Sequence, residues 1–128
     1  MLNFDATPMG GINVGVNASI PGVCQTAAHL AGANEIAIVS VDVTYLSAIP
    51  STLFMWPLVN QGGGGAAFAG SFAAGPITAN AWGSLHNQAQ VVLTPNVSYR
   101  FFAGVSAGVA LPLNNFTCRG LVTIVKKP

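Results

Sequence analysis

Apolar and polar residues alternate most clearly between Glu35 and Leu46. Val39, Val41, Val43 and Tyr45 fall on one side, and Ser40, Asp42 and Thr44 on the other. A period of two predicts a half-buried strand, and the β-branched valines and isoleucines disfavour a helix. The same rhythm returns near the C-terminus. Val91, Val92 and Leu93 run into Thr94-Pro95-Asn96, where proline presets φ for a turn and asparagine tolerates the unusual backbone after it. Val97, Tyr99, Phe101 and Ala103 then alternate with Ser98 and Arg100. The closing stretch puts Phe116, Cys118, Gly120, Val122 and Ile124 on one side and Thr117, Arg119, Leu121 and Thr123 on the other.

Between these stretches the signals are shorter. Residues 1–11 contain Pro8 and Gly10-Gly11 and hold no period, so they read as an extended N-terminal arm bearing Leu2, Phe4 and Met9. Ile12, Val14 and Val16 predict a first short strand, and residues 19–33 read as irregular. Residues 52–59 resume as a strand with Phe54, Trp56 and Pro57; proline cannot donate to a ladder, so an edge position or a bulge is expected. Gly62-Gly63-Gly64-Gly65 reads as a surface loop or hairpin end. Residues 66–74 and 77–82 are further strand candidates, and 83–87 a turn. About eight strands at intervals of roughly 8–14 residues, with no long helix, predict an all-β, single-domain antiparallel β-sandwich, a jelly roll, over residues 12–128.

Composition sharpens this picture at one point. The chain carries four basic and three acidic residues, 5% charged, where a soluble domain carries about 25%. A surface of Asn, Ser, Thr, Gln and Gly is either neutral and hydrated, or covered in an assembly where unpaired charges would cost desolvation energy. The second reading is carried forward. A net charge of +1 argues against nucleic acid as a partner, since phosphate binding needs clustered Lys and Arg. No membrane role is expected: the longest apolar run, residues 101–113, is broken by Ser106 and Pro112 and is shorter than the roughly 20 residues a spanning helix needs. The first residues show no export signal. Cys24 and Cys118 could pair, but without such a signal two separate buried thiols are the expectation. Sequons at Asn17, Asn96 and Asn115 are read as chance on the same ground.

Chemistry is sparse. Ser84 and His86 stand two apart, yet no acid near them in sequence orients the histidine, so no catalytic residue is assigned and no enzyme is expected. His29 reads as packed or exposed. Cys24, Cys118, His29 and His86 match no zinc-site spacing, Asp5, Glu35 and Asp42 are too scattered for a calcium cage, and the glycine run lacks the Lys-Ser or Lys-Thr of a phosphate loop. No metal or cofactor is expected. Trp56 and Trp82 read first as partly buried core and otherwise as platforms or interface anchors, with Leu2, Phe4 and Met9 on the arm as further contacts.

With VVLTPNVSYRFF at Val91–Phe102 and NFTCRGLVTIV at Asn115–Val125, the chain resembles the jelly-roll cement or decoration proteins of bacteriophage capsids. That resemblance implies a homodimer or homotrimer on the virion surface that docks on the major capsid protein and stabilises the head. The same strands and Thr-Pro-Asn turn also resemble the globular heads of the complement and tumour-necrosis-factor type. That alternative implies a receptor-binding or lectin-like head, as on a tail fibre; such heads usually follow a fibrous stalk, which is not seen here.

Overall fold

A computed structural model describes residues 2–6, 12–16, 24–62 and 65–128. Eleven strands are described: β1 (Leu2–Ala6), β2 (Ile12–Val14), β3 (His29–Leu30), β4 (Glu35–Leu46), β5 (Ser51–Gln61), β6 (Ala66–Phe68), β7 (Ala73–Ile77), β8 (Gly83–Val92), β9 (Ser98–Ala107), β10 (Leu111–Leu113) and β11 (Asn115–Lys126). One sheet has the order β1-β11-β4-β8; the other runs β3-β9-β5, with β6 and β7 both pairing to β5. β10 and β2 form a short ribbon. Every pairing among the described strands is antiparallel. The chain is an all-β sandwich, as its periodicity predicts.

The core lies between the sheets. Val39, Val41, Val43 and Tyr45 of β4 meet Phe101, Ala103 and Val105 of β9, with Leu53 and Met55 of β5 and Phe116 and Val122 of β11; all are almost fully buried. Each large side chain here contributes about 1.5–3 kcal/mol by leaving water. The alternation in β4, β9 and β11 is the alternation of this core face.

The 94-residue separation of Cys24 and Cys118 closes in a disulfide with Cα atoms 5.9 Å apart. This corrects the expectation of two separate thiols. Cys24 is laid along β9, where Ala103 N–H donates to its carbonyl at 3.1 Å, and Cys118 sits on β11 of the facing sheet. The bond therefore staples one sheet to the other through the core.

Other boundaries differ from the expectation. Leu2–Ala6, read as arm, is a strand antiparallel to β11, with Leu2 opposite Val122 and Phe4 opposite Gly120. Residues 83–87, read as a turn, begin β8, and the turn falls at 78–82, where Asn80 takes φ 59°. Residues 66–74 split into β6 and β7. Pro57 explains that split: its carbonyl accepts from Ala69 N–H at 2.9 Å, so the side on which it lacks a donor faces the gap between β6 and β7. The strand is paired along β9 on its other side, so proline is accommodated by interrupting its neighbour rather than by an edge position.

Candidate functional site

The outward face of the β1-β11-β4-β8 sheet is graded along the strands. At one end Val125, Ile36 and Val92 share a cross-strand row, followed by Thr123, Ile38 and Gln90, then Leu121, Ser40 and Gln88. Val92, Leu121 and Val125 are exposed. The next row aligns Asp5, Arg119, Asp42 and His86 across all four strands. Beyond it lie Thr117, Thr44 and Ser84, with the Thr44 and Thr117 hydroxyls hydrogen-bonded to each other.

Register thus supplies what local sequence lacked: Asp42 Oδ1 lies 2.7 Å from His86 Nδ1. A carboxylate on Nδ1 is the orienting half of an acid-histidine-nucleophile arrangement. Ser84, the one nearby hydroxyl on that strand, makes no hydrogen bond to His86 among the described residues. The pair is also half-exposed on an open sheet, where water competes for every charge, and the neighbouring backbone is committed to ladder bonds that an oxyanion site would need free. No acyl-transfer chemistry follows from this geometry.

A second acid-histidine pair ties the connection between β3 and β4, which passes from one sheet to the other. Glu35 accepts from Gly32 N–H and lies 3.1 Å from His29 Nε2. The Gly32 hydrogen bond holds the Glu35 carboxyl below its usual value against the opposing cost of burial, helped by His29 and Lys126. His29 is therefore a structural partner of Glu35. With both sulfurs in the disulfide, the Cys₂His₂ set considered from sequence has no thiolate to offer a metal.

The sequence-selected residues do not form one site. Leu2 is half-buried against the core, Phe4 sits on the edge strand β1, and Met9 lies outside the described residues. Trp82 is 60% exposed in the β7–β8 turn. Trp56 is half-buried on the outward face of β5, in a cluster that sequence reading does not assemble. Its ring centroid lies 5.2 Å from Phe68 and 5.7 Å from Phe72, and Phe54 is 5.3 Å from Phe72. Phe68 and Phe72 remain largely exposed, so the cluster is a shelf of rings rather than a second core. Its signal in the sequence is the pair of phenylalanines within residues 66–74, which fold back over β5 because β6 and β7 both pair with it.

The sequence matches no family model and no curated protein. Among solved structures, the fold is similar to that of the Eiger tumour necrosis factor from S. frugiperda, with a TM-score of 0.56 at 12% identity, covering 99% of this chain and 94% of that one. At that identity the likeness concerns fold alone. It supports a β-sandwich of the jelly-roll kind for this chain.

Proposed function

We propose that this protein is a non-enzymatic structural component that self-associates and decorates a larger particle: a capsid cement protein of a phage head, with the major capsid protein as its partner. The observation that carries this reading is the graded outward face of the β1-β11-β4-β8 sheet. Val92, Val125 and Leu121 stand exposed around Ile36 and Ile38 on a chain with very few charges. A second copy covering that end would remove apolar area from water while the exposed Lys126 and Lys127 stay at its rim, where they keep their hydration. A protein that binds the assembled shell then stabilises it by mass action. The Cys24–Cys118 disulfide supports a place on an extracellular or virion surface, where such bonds persist. To test the reading, purified protein is added to heads that lack it: saturable binding with a raised temperature of head disruption is expected, and no binding contradicts it.

A second reading is a receptor-binding or lectin-like head. The exposed shelf of Phe68 and Phe72 beside Trp56 favours it, because rings presented to solvent offer stacking surface to a ligand.

A further inference from the structure

The outward face of the other sheet holds a trough of about 380 Å³ lined by Gln25, Ala28, Asn60, Ser98, Arg100 and Phe102. Its size lies in the range of small-molecule sites. Both walls are pinned. On one side Thr26 N–H donates to Phe101 O at 2.9 Å, and Phe101 N–H donates to Thr26 Oγ1 at 3.2 Å. The adjacent Cys24 is held by the disulfide and by Ala103, and Gln25 bridges to Phe102. On the other side Gly62 N–H donates to Ser98 O at 2.9 Å, and Asn60 pairs with Arg100. Groups placed on such fixed backbone lose little freedom when they bind a ligand.

The chemistry of the lining is selective. Arg100 is exposed and makes no ion pair among the described residues. No acid lies on its sheet: Glu35 and Asp42 belong to β4 and Asp5 to β1. A guanidinium in that setting matches a carboxylate bidentately. Gln25 and Asn60 each carry donors and an acceptor on one amide, and Ser98 adds a hydroxyl, the pairing that ring hydroxyls need. Ala28 and the exposed margin of the mostly buried Phe102 ring are the apolar part of the lining.

We propose that this trough binds a carboxylate-bearing sugar, with Arg100 on the carboxylate, Asn60, Gln25 and Ser98 on hydroxyls, and Phe102 against the ring. The face proposed for self-association belongs to the opposite sheet, so this inference does not rest on it. The test is an amide-resolved NMR titration of the intact protein with glucuronate and with N-acetylneuraminate, beside methyl glucoside and acetate. Saturable shifts confined to the trough are expected for at least one sugar acid, with methyl glucoside weaker. Arg100→Met, its spectrum otherwise unchanged, weakens binding roughly tenfold or more, as loss of a charge-assisted hydrogen bond does, and Arg100→Lys keeps part of it. The proposal is overturned if neither sugar acid saturates the trough at tens of millimolar, if acetate binds as tightly as either, or if Arg100→Met binds as well as the parent. The copy number of the protein in particles is untouched by any of these results.

Discussion

Cys24 and Cys118 join the two sheets of the sandwich, one laid against β9 and the other within β11, and with a sequence separation of 94 the bond closes a loop of about three quarters of the chain. On the chain-entropy account, a loop of that length restricts the unfolded state by about 4–5 kcal/mol. Replacing both cysteines with alanine is expected to lower unfolding stability by a large part of that amount, measured by urea denaturation with and without reductant. A double variant as stable as the oxidised parent contradicts the staple role.

Tyr45 occupies the space a side chain at position 83 would need. A Cβ added to Gly83 falls 2.5 Å from the Tyr45 ring, and one added to Gly75 falls 2.8 Å from Leu85. The Tyr45 hydroxyl donates to Pro76 O at 3.2 Å, so the ring cannot swing aside without losing that bond, and burial raises its pKa. Gly83→Ala is expected to destabilise by about 1–3 kcal/mol, the range for overpacking. Ala substitution at Gly65, where no atom lies within 4 Å, should be nearly neutral. Thermal melts of the two variants make the comparison.

Glu35 ties folding to acid pH. Its folded pKa lies below the ordinary glutamate value of 4.5 because the Gly32 N–H holds the carboxylate. A group depressed on folding contributes stability that is complete above its unfolded pKa and fades as pH falls through the folded one. Stability should therefore be level near neutrality and decline below about pH 4.5, and Glu35→Gln should flatten that decline. Chemical denaturation at a series of pH values reads this directly. If Glu35→Gln leaves the acid slope as it is in the parent, Glu35 has no part in the acid dependence.

Exposed apolar residues on the β1-β11-β4-β8 sheet drive self-association in this account. Val92→Glu with Leu121→Glu adds charge at positions already in water, so folding should change by no more than about 0.5 kcal/mol per site. Light scattering after size exclusion should show an oligomer for the parent and a monomer for the double variant. A parent that stays monomeric at high concentration contradicts self-association through this face.

Strands β4 and β11 and the start of β9 were legible because each buries one face against a single core, so burial and sequence share a period of two; from Phe101 onward β9 is buried on both faces. The start of β8 was not: Ser84, His86, Gln88 and Gln90 face water, but of the residues alternating with them Gly83 and Asn87 carry no apolar weight, so Leu85 and Ala89 leave only a weak contrast to read. Gly83 carries no side chain there because Tyr45 fills the space, a long-range cause that local pattern does not contain. Pairing of Asp42 with His86 needed the β4–β8 register. An argument from compartment misses the disulfide, since only the folded chain lays Cys24 along β9, across the core from Cys118. The trough around Arg100 collects residues from three separate segments and has no linear signature.

The most direct measurement is the copy number of this protein in purified particles from its source, by quantitative mass spectrometry against the most abundant coat protein. A shell component that covers repeated seams predicts a ratio near a simple fraction of the coat protein. A few copies per particle, or none, would contradict the decoration role and leave the head-domain reading in its place.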